Sequence, residues 1–308
     1  MAFYDRAIVR MLPAVPRPVV KRLSARYIAG VTLADAERVV RELNLQGRSA
    51  TIDVLGEEIR RPDEARAIVR AYLDVLDEIE RGGLDANVSV KLTALGLKLS
   101  YDRCRENLEA VVRVADERGR FVRIDMEDSS TTDENLRLYR ELREAGYERV
   151  GIVLQSALRR TVDDVLALAD LRPSVRICKG IYLEPGSIAF HDFDAIRANF
   201  VRALDALLDA GCRVAIATHD DWLVDQSRAA VERHGLGPDD YEFQMLLGVR
   251  GDLADELVRE GRKLRIYVPF GSHWYEYSLR RLQENPKVAG YIAADTLGRL
   301  VPRRRVTG

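Results

Sequence analysis

From about residue 48 onward, short apolar runs alternate with longer amphipathic stretches. The runs are "SATIDVLG", "ANVSVKLT", "FVRIDMED", "RVGIVLQS", "SVRICKG", "CRVAIATHD", "YEFQMLLG" and "KLRIYVPFG". Between them lie segments such as "RPDEARAIVRAYLDVLDEIERGG" and "TTDENLRLYRELREAGYERV", whose apolar positions recur at helical spacing. The first has Pro62 near its start and Gly82 at its end, a helix start and stop. The second offers Thr131 or Thr132 as N-cap, with acidic residues in the first turn. Eight strand–helix alternations predict a parallel sheet, because each parallel crossover uses a helix. Eight is also the number that closes a (β/α)₈ barrel. An open doubly wound sheet is the alternative, and it would want a glycine-rich first turn. The sequence contains neither GxGxxG nor GxxxxGK[ST]. The last apolar run leads into a helix over Trp274–Glu284. The start, "MAFYDRAIVRMLPAVPRPVVKRLSARYIAG", is basic, partly amphipathic and broken by prolines. It reads as a helical extension packed on the domain, with a membrane-surface contact as the alternative. The organisation expected is an extension over residues 1–45, a barrel over 46–290 and a frayed tail over 291–308.

Composition narrows the classes. The chain has 308 residues, 47% of them hydrophobic, enough for one barrel with a full core. A formal net charge of -1 gives no basic field to recruit nucleic acid. Cys104, Cys178 and Cys212 are far apart and odd in number, which suggests a reducing compartment and no disulfide framework. The four histidines form no HExxH, so no metal is expected. No run of about twenty apolar residues predicts a membrane-spanning helix.

In a barrel, chemistry sits at the C-terminal ends of the strands. Those ends are Lys91, Asp125 with Glu127 and Asp128, Gln155, Arg176 with Lys179, Thr218 with His219, Gln244, and Tyr267. Any one of them has a plain structural reading. Lys91 could reach to solvent, Asp125 could cap a helix, and His219 could be a satisfied rim residue. A whole ring of polar ends is harder to dismiss, because buried charge needs partners. The final helix adds a stripe of Tyr277, Arg280, Arg281 and Glu284, three and four residues apart on one face. Paired arginines suit a carboxylate, and the aromatic neighbours suit a compact hydrocarbon body. From these residues alone a sugar phosphate stays open. So do a barrel lyase or isomerase acting through Lys91, and a small-acid binding protein without catalysis.

The motifs "VSVKLT", "VRIDMED", "VRICKGIYLEP", "VAIATHD", "YEFQMLLG" and "RIYVPFGSHWYEYSLRRLQEN" resemble the proline dehydrogenase family, specifically its short monofunctional bacterial type. The resemblance spans roughly residues 45 to 290, one motif per strand and in order. It implies a distorted (βα)₈ TIM barrel with an N-terminal helical extension and the last helix over the barrel mouth. It implies FAD as cofactor, oxidation of L-proline to Δ1-pyrroline-5-carboxylate, and membrane quinone as electron acceptor. A cytoplasmic protein, peripheral on the inner face of the cell membrane, is the matching location. A pyrroline-5-carboxylate dehydrogenase is the matching recipient of the product.

Carried over by motif, Lys91, Asp125 and Arg176 would be catalytic, with Lys91 and Asp125 as an ion pair and Arg176 near flavin N5. Arg280 and Arg281 would hold the substrate carboxylate, with Glu284 orienting them. Lys91, Leu246, Tyr267 and Tyr277 would line the substrate. Asp125, Met126, Val153, Gln155, Arg176, Lys179, Gly180, Ile181, Tyr182, Thr218, His219, Asp220 and Gln244 would meet FAD. Asp220 stands where Asn is more usual in the family, and Ile181 where Ala is common. Asp125 would receive a proton from the substrate amine or would only fix its neighbours. Strand alternation sets Arg265 on the same face as Tyr267, so Arg265 must lie at the strand's entry rim, or the alternation breaks there.

Overall fold

A computed structural model describes residues 26–56, 59–275 and 277–278 of the chain. All eight apolar runs are strands: β1 (Ser49–Val54), β2 (Ala86–Lys91), β3 (Val122–Asp125), β4 (Val150–Gln155), β5 (Ser174–Cys178), β6 (Arg213–Ala217), β7 (Tyr241–Leu246) and β8 (Leu264–Phe270). They pair in sequence order, all parallel, and β8 returns to β1, so the sheet is a closed barrel. The open-sheet alternative is thereby excluded.

Helix α1 (Leu33–Leu45) precedes β1; α2 (Pro62–Arg81), α3 (Tyr101–Glu117) and α4 (Thr132–Glu144) follow β1, β2 and β3. Helices α5 (Thr161–Leu168), α6 (Phe193–Asp209), α7 (Asp221–Arg233) and α8 (Gly251–Arg259) follow β4 to β7. Local signals set the ends. Thr32 caps α1, accepting from the Asp35 N–H while the Asp35 carboxylate takes the Thr32 N–H. Pro62 opens α2, where its missing N–H removes a donor that has no intrahelical partner anyway. Thr131 is the N-cap of α4, as its position suggested, but its hydroxyl donates to the Asp128 carbonyl and does not cap.

Alternation along the strands sorts the barrel into two faces. Ile52, Val88, Val90, Ile124, Ile152, Ile177, Ile216, Phe243 and Val268 are fully buried in the apolar layer between strands and helices. The opposite positions carry Thr51, Asp53, Asn87, Ser89, Lys91, Arg123, Asp125, Arg176, Gln244 and Tyr267, joined by hydrogen bonds inside the barrel. The lumen is therefore polar along its length, not filled with the branched aliphatic layers usual for this architecture. Arg265 keeps the alternation. It lies near the N-terminal end of β8, donates to both Glu242 oxygens (3.0 and 3.1 Å), and reaches the Ala50 carbonyl at 2.8 Å.

The N-terminal helix α1 packs on the outside of β8 and β1 through Ala36, Val40 and Leu43. It occupies the outer position that a helix following β8 would otherwise take. After β8 the chain turns at Gly271 and enters a helical turn whose Tyr277 is buried against Tyr27, Ile28 and Leu55. Arg280, Arg281, Glu284 and the tail over 291–308 lie outside the described residues.

Candidate active site

Parallel register brings Lys91, the last residue of β2, beside Asp125, the last of β3. Between them and the neighbouring strands a network forms beneath the barrel mouth. Asp125 Oδ1 accepts from Ser89 Oγ at 2.7 Å and Arg176 Nη1 at 2.6 Å. Its Oδ2 accepts from the Tyr267 hydroxyl at 2.8 Å. Lys91 Nζ donates to both oxygens of Asp53, at 2.9 and 2.8 Å, and lies 3.3 Å from the Tyr267 hydroxyl. The ion pair expected between Lys91 and Asp125 is long, at 3.9 Å. The short pair goes to Asp53, because β1 brings that carboxylate directly to the ammonium. Tyr72, from the outer helix α2, reaches between β1 and β2, its hydroxyl 2.6 Å from the Ser89 carbonyl and 3.2 Å from Asp53 Oδ1.

The two carboxylates differ. Burial raises the Asp53 carboxyl above its ordinary range, and Lys91 offsets only part of this. Burial acts the same way on Asp125, but Arg176, Lys91 and the Ser89 and Tyr267 hydrogen bonds outweigh it and hold that carboxyl low. Asp125 is thus a saturated acceptor and a weak base. The Tyr267 hydroxyl is held well above its usual range by burial and then by Asp125 and Asp53. Its ring lies beneath two cations, Arg176 at 5.3 Å and Lys91 at 5.9 Å from the centroid.

Arg176 is fixed on its other side by Gln244, whose Oε1 accepts from Nε at 2.5 Å. Glu242 sets the direction of that amide by accepting from Gln244 Nε2. The remaining nitrogen, Arg176 Nη2, is buried with no hydrogen-bond partner among the described residues.

The β4–β7 side of the mouth has another character. Gln155 ties the β3 loop down by donating to the carbonyls of Met126 and Glu127. Val153 lies opposite Arg176 in the β4–β5 register. Gly180, after β5, has φ 93°, and a Cβ there would sit 3.1 Å from the Gln155 Cβ, so the backbone at Gly180 packs directly on Gln155. His219 Nε2 accepts from the Leu246 N–H at 2.9 Å, which puts the proton of a neutral ring on Nδ1. The Thr218 hydroxyl accepts from the Asp220 N–H. Asp220 pairs with both Lys179 and Arg197. Burial would raise its carboxyl, but these partners win and bring it to about 2. Arg197 in turn lies between the rings of Phe193 and Trp222. Ile181 is exposed and Tyr182 half-buried on the loop after β5.

The sequence-derived residues thus fall into one network (Lys91, Asp125, Arg176, Gln244, Tyr267) and one rim running from Met126 round to Leu246. Tyr277 is near enough to Tyr267 to act on its ionisation. Reading strand ends missed Asp53, Ser89, Tyr72 and Arg197. Asp53 left a signal, since a carboxylate inside an apolar strand needs a partner. Tyr72 and Arg197 sit on helices and left none.

A sequence profile described as proline dehydrogenase matches residues 36–294. This chain belongs to the proline dehydrogenase family. It is 36% identical over 272 residues to proline dehydrogenase 1 of Bacillus subtilis strain 168, covering 88% of this chain and 90% of that one. It is 36% identical over 279 residues to the proline dehydrogenase of Deinococcus radiodurans, covering 89% and 90%. Among solved structures, proline utilization A from Bdellovibrio bacteriovorus, inactivated by N-propargylglycine, superposes with a TM-score of 0.83 at 23% identity. That match covers 92% of this chain but 36% of the larger protein, so it speaks for the fold alone. The barrel and the whole mouth network from Asp53 to Tyr267 lie within the residues matched to the family.

Proposed function

We propose that this protein oxidises L-proline to Δ1-pyrroline-5-carboxylate with FAD as resident cofactor and a quinone as terminal electron acceptor. Family membership makes the chain an oxidoreductase acting on proline, the first step of proline catabolism. The flavin, the acceptor and the residue roles are the proposal. The observation that carries it is the Asp53–Lys91–Tyr267–Asp125–Arg176 network beneath the mouth of a barrel of this family.

The mouth residues suit a flavin dinucleotide. The buried, unpartnered Arg176 Nη2 can donate to a ring nitrogen. Gly180 lets the loop after β5 lie directly on Gln155, which keeps both at the cofactor side of the mouth. Lys179 and Arg197 supply cations for a diphosphate, and Thr218 and His219 Nδ1 supply donors. Gln155, Tyr182 and Gln244 would complete the hold, with Asp125, Met126, Val153, Ile181 and Asp220 around them. When bound, FAD would supply the two-electron acceptor, at flavin N5, for the hydride lost from C5 of the proline ring.

The chain's own residues do the rest. Arg280 and Arg281 hold the substrate carboxylate, steadied by Glu284, and Leu246, Tyr267 and Tyr277 wall the ring. The substrate reacts as the free amine, whose lone pair assists loss of hydride, and the iminium left behind is protonated Δ1-pyrroline-5-carboxylate. Asp53 and Asp125 offset the positive charge that grows on the ring nitrogen. Asp125 acts as an anchor for Arg176 and Tyr267, not as proton acceptor, because three donors already saturate it. Lys91 holds Asp53 and the Tyr267 hydroxyl in place on the substrate side.

Electrons pass to membrane quinone from a cytoplasmic enzyme peripheral on the inner face of the cell membrane. Among the described residues no helix is long and apolar enough to cross a membrane. The product is taken up by a pyrroline-5-carboxylate dehydrogenase. A Schiff-base lyase using Lys91 is disfavoured, since that chemistry needs a neutral amine and Asp53 engages the ammonium with both oxygens. The test is colour and bleaching. The purified protein should be yellow, and anaerobic L-proline should bleach it. A colourless, folded protein that oxidises proline only with added NAD⁺ would overturn the reading.

A further inference from the structure

We propose that the short strap formed by residues 26–30, ahead of α1, positions Tyr277 as a wall of the substrate site, with Tyr27 and Ile28 packed against it. The role of Tyr277 rests on the function proposed above; the strap's contacts do not. β7 pairs with β8 only as far as Leu246 opposite Tyr267. Beyond that point the Pro269 carbonyl would face an open edge, and the Ala29 N–H takes it at 3.0 Å. The Gly271 N–H donates back to the Gly30 carbonyl at 3.1 Å. The strap therefore extends the sheet just where the chain leaves β8 for the turn that leads to Tyr277.

A second anchor lies on the turn after β7. Gly248 has φ 72°, and a Cβ there would stand 2.0 Å from the Arg26 carbonyl oxygen. Only glycine allows the strap to lie directly on this backbone. Leu246, the last residue of β7, leads into that turn, and its N–H donates to His219.

Between the two anchors, Tyr27, Ile28, Leu55 and Tyr277 are each less than a tenth exposed and form one apolar cluster, with Trp274 and Val249 at its margin. Tyr277 thus meets the strap, and it also lies close enough to Tyr267 to influence its ionisation. A helix's first turn has little stability of its own and depends on tertiary packing. Here Tyr27 and Ile28 supply a large part of that packing, at Tyr277, which lies three residues in sequence before Arg280. They are positioning residues, acting on substrate through Tyr277.

The test uses holoenzyme carrying Tyr27→Ala or Ile28→Ala. Both should raise the proline KM, and the Kd of a non-oxidisable five-membered-ring carboxylic acid, by about tenfold or more, with kcat at saturation within about twofold of wild type. In proteins whose other tryptophan is removed by Trp222→Phe, Trp274 emission should shift to the red. Ile28→Val, which keeps the side chain apolar, should give a smaller change in the same direction, and it serves if either alanine variant fails to fold. An unchanged KM in a folded variant, or unchanged Trp274 emission, overturns the proposal. So does a parallel loss of kcat, KM and flavin content, which would mean that the strap only supports the barrel. If wild type is not reduced by proline at all, the functional reading fails, and Trp274 emission still decides the strap contact.

Discussion

Replacing Asp53 by Asn tests whether the unanticipated carboxylate governs Lys91. At an effective dielectric constant of about 20, unit charges 2.8 Å apart, as Lys91 and Asp53 are, attract by about 6 kcal/mol. At the 3.9 Å that separates Lys91 from Asp125 the figure is about 4 kcal/mol. The difference is small enough for Asp125 to take over part of the role. The substitution also relieves the burial that raises the Asp53 carboxyl, so the gross attraction is not lost as stability. What remains is roughly one charge-assisted hydrogen bond, about 1.5–3 kcal/mol, or several degrees in Tm for a chain of this size.

Catalysis should suffer more than folding. With Asp53 neutral, the ammonium swings toward Asp125 Oδ2 and competes with the Tyr267 hydroxyl that donates there. Tyr267 and Arg176 then lose their common anchor. The expected fall in kcat/KM is about 100-fold, or about 2.7 kcal/mol. Anaerobic stopped-flow bleaching of the flavin by L-proline reads it, with flavin per chain and Tm measured alongside. A variant within about threefold of wild type in kcat/KM, but with lowered Tm, would show that Asp53 serves stability and not the site.

Arg281→Met should weaken proline binding by about 2–5 kcal/mol and leave the affinity for an uncharged analogue nearly intact; equal losses for both would assign the arginine to folding. Asp220→Asn tests the acid side of stability. The wild-type carboxyl drops from 3.8 to about 2 on folding, so its contribution is full above 3.8 and is lost as pH falls through about 2. Wild-type and variant melting temperatures should therefore converge as pH falls over that window, and a constant gap would rule out the pairing with Lys179 and Arg197. Replacing the Glu242–Arg265 pair together, as Glu242→Gln with Arg265→Met, should change stability by no more than about 2 kcal/mol. It should lower turnover by loosening the Gln244 amide, and unchanged turnover would mean that this pair has no part in holding Arg176.

The barrel was legible because its outer face obeys one rule. Ile52, Val90, Ile124, Ile177 and Val268 must be apolar to lie between strand and helix, and they mark each strand by themselves. The lumen was legible only at its rim. Reading each strand by its last polar residue found Lys91 and Asp125, but β1 ends in Val54 with Leu55 after it, so Asp53 was passed over. The family resemblance paired Lys91 with the carboxylate on the next strand, though the closer one lies on the strand before. Tyr72 and Arg197 could not be read at all. Each is an ordinary helix residue in sequence, and only the closed barrel brings its side chain to a strand end. Of the N-terminal extension only residues 26–45 are described, and nothing local in their sequence states that their helix covers β8 and β1.

A polar lumen asks for an explanation beyond stability. Three pairs cross it: Glu242 with Arg265 towards the N-terminal end, Asp125 with Arg176 above them, and Asp53 with Lys91 under the mouth. Buried pairs of this kind are seldom worth more than apolar side chains of the same volume, so the core would fold as well without them. They do what apolar packing cannot, which is to fix direction. Glu242 turns the Gln244 amide so that its oxygen meets Arg176, and Asp125 holds one Arg176 nitrogen and the Tyr267 hydroxyl from opposite oxygens. The last free nitrogen of Arg176 is then aimed by bonds on two sides, before any ligand arrives. A rotamer held this way costs little reorganisation when charge develops beside it, the condition under which buried dipoles and cations lower a barrier most. The lumen exchanges stability it does not need for orientation at the mouth.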